Sequence, residues 1–236
     1  MFGKIETDRT EAPYSETLNK PQQMIVILRD VSGSMFKAID YENVAMGFFF
    51  NEGKKSKYAN RNHICLIDFC DKPEVVLDWT LMKEANPELT NEVGGNTDIN
   101  KAVMLAIEKC ESKIRDFSKF GTPYGPPLVV LLTDGAPTSD ISESVKAVQK
   151  KRSEKDKNGN SKFIFLPIYV GDGGVPEDLL RYTGSALIAR SSDTDGKYRE
   201  IFDFLFNTIK AIHNTVEAGG GQIKVDPMGM DAIILN

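Results

Sequence analysis

The hydrophobic positions of the chain fall into short, nearly uninterrupted runs: MIVIL (24–28), HICLIDF (63–69), EVVLDW (74–79), PLVVLLT (127–133), FIFLPIYV (163–170) and SALIA (185–189). Apolar, largely β-branched runs of this length predict six strands. Between most of them the period lengthens to that of a helix. Ile99, Ala102, Val103, Ala106, Ile107 and Cys110 keep the i, i+3, i+4, i+7 spacing of one buried helix face, and Phe202, Leu205, Phe206 and Ile209 form a second such face. Near-continuous apolar strands alternating with amphipathic helices predict an α/β fold, a doubly wound and mostly parallel sheet of six strands with helices on both faces. The runs at 63–69 and 74–79 are the exception. The CDKPE-type turn between them is far too short for a parallel crossover, so the third strand is expected antiparallel at an edge.

Composition narrows the class. The 236 residues suit one α/β domain, and 41% hydrophobic with 27% charged residues is ordinary for a packed protein. A net charge of -5 and a pI near 5.2 have the wrong sign for collecting phosphates, which sets nucleic acid aside. The amino terminus has no apolar signal-like region and no run approaches the roughly 20 apolar residues of a membrane span, so a cytoplasmic protein without membrane contact is expected. Cys65, Cys70 and Cys110 form no CxxC pair and are expected as reduced core thiols, with Cys65 and Cys70 on opposite sheet faces if one strand carries both. His63 and His213 are too few and too scattered for a histidine metal site.

Three segments are distinguished along the chain: a flanking segment over 1–21, one domain over 22–214, and a Gly-rich hinge with a tail over 215–236. The tail ends in an apolar cluster, IKVDPMGMDAIILN (223–236), and is expected to dock on its own domain or on a neighbouring copy. Asp231 would then present a carboxylate to a metal site; the competing expectation is a strand or loop packed without metal contact.

The chain leaves its first apolar run through RDVSGSM (29–35), which puts Asp30 at the carboxyl end of a strand and Ser32 and Ser34 on the turn to a helix starting near Met35. Helix capping alone accounts for such residues. Two more stretches extend the pattern. PLVVLLTDGAPTSD places Asp134 at the end of another buried strand, and EVGGNTDINKAV places Thr97 at the mouth of the most amphipathic helix. If the strands carrying Asp30 and Asp134 are neighbours with helices on opposite faces, the crevice between their carboxyl ends is where open α/β sheets bind ligands. Oxygen-only side chains there suit Mg²⁺, with Mn²⁺ as the realistic substitute.

The set Asp30-Val-Ser32-Gly-Ser34, Thr97 and Asp134 resembles the metal-ion-dependent adhesion site of the von Willebrand factor type A (vWA) domain, over about residues 22–214. LLTDGAPTSD, PIYVGDGGVPEDLLRYTG and YREIFDFLFNTI are similar to small bacterial stand-alone vWA proteins of the tellurium-resistance-associated, TerY-like type. The resemblance implies the strand order 3-2-1-4-5-6. It also implies metal contact through the hydroxyls of Ser32, Ser34 and Thr97, with Asp30 and Asp134 acting mainly through bound water and hydrogen bonds. A cation left undercharged by neutral ligands attracts a carboxylate from outside. The implied function is therefore a metal-dependent adaptor that captures an Asp or Glu of a partner protein in a stress-response or signalling assembly. Asp98 is expected to stabilise its helix start rather than the metal. Arg29 departs from the apolar residue expected before Asp30 and should find an acidic partner or reach solvent.

Other chemistry fits less well. GFFFNEGKKS (47–56) has Glu52 where a phosphate loop needs its second glycine, and GDGGVPED (171–178) has Pro176 at the last glycine position of GxGxxG. A Mg²⁺-dependent phosphohydrolase using Asp30 is the serious alternative, but Ser32 stands where a second carboxylate is usual. A serine nucleophile would need His63 or His213, and His63 should lie at the far end of the sheet. A scaffold independent of metal is the third possibility. No enzyme activity is expected.

Overall fold

The computed structural model describes Thr17 and residues 19–189, 192–219 and 230–234. Most of the expected flanking segment, and residues 220–229 of the hinge and tail, lie outside the described residues. The elements are β1 (Gln23–Asp30), a 3-10 turn (Gly33–Lys37), α1 (Ile39–Lys55), β2 (Asn62–Phe69), β3 (Pro73–Leu81), α2 (Ile99–Lys119), β4 (Leu128–Thr133), α3 (Ser142–Ser153), β5 (Ile164–Tyr169), α4 (Glu177–Thr183), β6 (Ser185–Ala189), α5 (Thr194–Glu217) and β7 (Met230–Ile234).

One sheet runs in the order β3-β2-β1-β4-β5-β6-β7. Pairings β1–β2, β1–β4, β4–β5 and β5–β6 are parallel, while β2–β3 and β6–β7 are antiparallel. The sheet therefore has seven strands, not the expected six. The seventh comes from the tail, whose five paired residues follow a stretch of glycine, lysine and proline and show no periodicity long enough to read as a strand. In register Ser185 faces Ile234 and Ala189 faces Met230, so β7 covers backbone groups that β6 would otherwise leave as an open edge.

Alternation along β1 divides the core. Ile25 and Ile27 join Met46, Phe49, Tyr198 and Ile201 from α1 and α5, whereas Val26 and Leu28 join Ala102, Val103, Val145 and Leu179 from α2, α3 and α4. Every predicted apolar position of α2 is buried. Smaller expectations change. The helix expected near Met35 begins at Ile39, because the 3-10 turn intervenes. Cys70 lies just beyond β2, so no single strand carries both Cys65 and Cys70. Pro176 precedes α4 as its cap residue. Among the described residues no helix is long and apolar enough to cross a membrane.

Met230 is 1% exposed and packs in the core on the α1/α5 side. Met230→Ala is expected to lower the unfolding free energy by about 2–4 kcal/mol through the lost contact and residual cavity, measured as the shift of the urea midpoint at unchanged slope. A change under about 0.5 kcal/mol would show that the strand is not docked in solution.

Candidate functional site

The parallel strands all end at one edge of the sheet, and β1 and β4 are neighbours there. From this edge β1 continues toward α1 on one face, while β4 continues toward α3 on the other. Asp30 ends β1 and Asp134 directly follows β4. Backbone hydrogen bonds draw the third loop to the same place. Gly94 N donates to Val31 O (2.9 Å), Gly33 N to Gly95 O (3.4 Å), Asp98 N to Cys70 O (2.9 Å) and Thr138 N to Thr97 O (3.1 Å). Gly95 takes φ +74, a left-handed turn that favours glycine, and the next residue is tied down by Asp71, whose Oδ1 accepts from Asn96 N at 3.1 Å.

The five expected residues come together. Ser32 N donates to Asp30 Oδ1 (2.8 Å), the Ser32 and Ser34 hydroxyls are 3.1 Å apart, and Ser34 Oγ donates to Asp134 Oδ1 (2.6 Å). A Cβ placed on Gly135 would lie 3.7 Å from Ser34 Oγ and 3.8 Å from Thr97 Oγ1, so both hydroxyls border the same small space. Asp30, Ser32 and Thr97 are buried, Asp134 is half-buried and Ser34 is exposed, which opens the cluster outward on one side. Among the described residues no three His, Cys, Asp or Glu side chains converge as a metal cluster. A cation here would depend on hydroxyl oxygens, which the set supplies.

Both oxygens of Asp30 are engaged, the second by Thr133 Oγ1 at 2.5 Å. Burial is the main influence on Asp30 and raises its pKa to about 6 from an ordinary 3.8; Thr133 and Ser32 act in the opposite direction, and Asp134 adds to the rise. Asp98 caps α2, accepting from Lys101 N (3.2 Å) and Ser139 Oγ (3.0 Å). His63 pairs in register with Met24 at the opposite end of β1 from Ser32. His213 bonds Asn62 Oδ1 (2.6 Å) at the start of β2, so neither histidine reaches the serines.

Directly beneath this rim lies a polar layer. Arg29 is fully buried and donates through Nε to Asp68 Oδ1 (2.8 Å) and through Nη2 to Asp68 Oδ2 (2.5 Å), with Asn43 accepting from Nη1. It thus finds the acidic partner, not solvent. Glu42, on the buried side of α1, has neither carboxyl oxygen hydrogen-bonded among the described residues, and the Tyr198 hydroxyl of α5 is likewise unpaired. Burial pushes the Glu42 pKa up to about 8; Arg29 opposes this, while Asp68, Asp30 and Asp134 reinforce it. Thr133, Thr138, Asp71, Asp68, Glu42 and Tyr198 were not among the expected site residues. Asp68 alone carries a visible signal, a lone acid inside the apolar run HICLIDF.

No protein-family model and no curated protein matches the sequence. Solved structures match by fold. Proximal thread matrix protein 1 from the mussel byssus superposes with a TM-score of 0.51 at 16% identity, over 80% of this chain and 48% of that one. The N-terminal domain of the TFIIH p34 subunit superposes with a TM-score of 0.50 at 12% identity, over 80% of this chain and 98% of that one. The fold is vWA-like. This chain spans less than half of the mussel protein and 15% of the pilus adhesin SpaC from Lactobacillus rhamnosus GG that also matches.

Glu42 has an ordinary pKa of 4.5 and a folded value of about 8, so its uncharged form stabilises the fold at low pH and that stability is lost as pH rises through 8. Between pH 6 and 8 the protein should lose up to about 1.4 kcal/mol per pH unit relative to Glu42→Gln, which has no such titration. Urea unfolding of both proteins at several pH values checks this; parallel profiles would place the ionisation elsewhere.

Proposed function

We propose that the chain is a metal-dependent protein-binding module rather than an enzyme. The observation that carries this reading is the convergence of three hydroxyls and two carboxylates from three loops at the β1/β4 switch point, with Ser34 Oγ 2.6 Å from Asp134 Oδ1. Ser32, Ser34 and Thr97 would hold Mg²⁺, or Mn²⁺ in its place, through their hydroxyls. Asp30 and Asp134 would act through bound water and hydrogen bonds. The cation supplies positive charge that neutral ligands leave largely uncompensated, and a partner's Asp or Glu is the group it recruits. The resemblance of LLTDGAPTSD and PIYVGDGGVPEDLLRYTG to TerY-like proteins is the ground for reading the module as an adaptor in a bacterial stress-response assembly, in the cytoplasm. The vWA-like fold is compatible with that role.

The burial of Asp30 favours binding over phosphoryl transfer. A nucleophilic carboxylate needs a free oxygen facing substrate, and both Asp30 oxygens accept hydrogen bonds within the protein. Ser34 and Asp134, at the open side, are the groups a bound partner would approach.

Calorimetric titration with Mn²⁺ should show one site that Ser32→Ala and Thr97→Ala each weaken by about tenfold or more, while thermal unfolding without metal stays within about 1 kcal/mol of wild type. Capture of a partner protein should fail in EDTA and in Asp30→Ala alike. Equal Mn²⁺ affinity in all variants would remove these hydroxyls from the metal, and undiminished capture in EDTA would make the contact independent of it.

A further inference from the structure

The outer face of α1 is more apolar than a solvent-facing helix requires. Its inner side buries Met46, Phe49 and Phe50. On the opposite side Tyr41, Val44 and Phe48 are 47%, 55% and 60% exposed at the i, i+3, i+7 positions of one stripe, and Phe36 on the preceding 3-10 turn is 77% exposed. Four of the seven large hydrophobic residues exposed among the described residues thus lie along one short stretch of chain, not scattered singly as on an ordinary surface. A groove of about 440 Å³ between α1 and α5, lined by Phe48, Phe49, Phe202 and Phe206, deepens the patch on one flank.

Gly47 lies within this stripe. A Cβ there would meet nothing within 4 Å, so no internal packing explains a residue that costs a helix interior about 1 kcal/mol relative to alanine. What glycine leaves is a notch into which another backbone can settle. The charges at the two ends of the helix differ in sign. Asp40 stands in the first turn, with no ion pair among the described residues, and Lys54 and Lys55 stand in the last. Among the described residues Lys55 bonds Glu52, one turn away, in a solvent-exposed pair of small worth that gives way easily.

We propose that α1 is a self-association surface on which two copies of the chain pack antiparallel, through Tyr41, Val44 and Phe48, around the Gly47 notch. A two-fold axis at Gly47 and Phe48 sets Val44 opposite Asn51 of the second copy and Asp40 opposite its Lys54 and Lys55, and does so twice. A parallel arrangement would oppose Asp40 to Asp40 and lysine to lysine, which selects the antiparallel one. From that axis α1 runs about 13 Å to Ile39 at about 1.5 Å per residue, and Ser34 lies beyond its start on the 3-10 turn. The pairing uses none of the residues that border the candidate metal position. The proposal is independent of metal binding.

Sedimentation equilibrium of the full chain from about 1 to 200 µM, in EDTA and in Mg²⁺, tests it. A concentration-dependent dimer is expected under both conditions. Phe48→Glu should weaken it by about tenfold or more, and Asp40→Lys by several-fold. Adding Lys54→Glu and Lys55→Glu to Asp40→Lys should recover most of the loss, which a merely misfolded variant would not do; circular dichroism follows helix content throughout. A monomer across the whole range overturns the proposal, including one whose patch binds only an unrelated apolar helix. A dimer indifferent to Phe48→Glu, or charge reversal without recovery, overturns it equally.

Discussion

Parallel strands share one direction, so every loop leaving β1 and β4 must emerge at the same edge of the sheet. That constraint governs the arrangement around the site. With β1 and β4 neighbours in the interior of the sheet and α1 and α3 on opposite faces, the loops after β1 and β4 separate and open a crevice between them. The loop before α2 is then drawn over the crevice by backbone hydrogen bonds to Val31, Cys70 and Thr138. The sheet edge and these loop contacts bring the five oxygen-bearing side chains together.

The same edge carries a cost in buried charge. Arg29 and Asp68 are opposite one another in the β1–β2 register and point to the α1/α5 side, where the apolar core ends. A buried ion pair of this kind contributes little net stability, but removing one partner strands the other in a poorly solvated place. Glu42 is drawn into this layer without hydrogen bonds and stays largely uncharged at neutral pH because burial outweighs the attraction of Arg29. The rim above is thus supported by a layer whose charge depends on pH, directly beneath the acids that face the candidate metal position.

The two proposed interaction surfaces differ in physical character. The rim is small, polar and built from loops, and it favours a single charged group. The outer side of α1 is a rigid helix face with aromatic residues, suited to broad apolar contact. As proposed, the first would read charge and the second shape.

The strands, the buried face of α2 and the residues of the rim were legible in the sequence, because burial on both sheet faces leaves continuous apolar runs and chain reversals leave Asp, Ser, Thr and Gly at their ends. The antiparallel β3 was legible for a simpler reason: its turn is too short for anything else. The seventh strand was not, since β7 is too short to show a period and owes its structure to the open edge of β6. The layer of Arg29, Asp68, Glu42 and Tyr198 was legible only in part: Arg29 and Asp68 stand out as charges inside apolar runs, whereas Glu42 and Tyr198 carry no such mark. Those residues come from four different elements, and only tertiary packing determines that a charged residue at position 29 faces an acid at 68 while a glutamate at 42 has no hydrogen-bond partner among the described residues. Local pattern specifies what each segment can become, but which polar groups share a desolvated space is decided by the packing of the sheet against its helices.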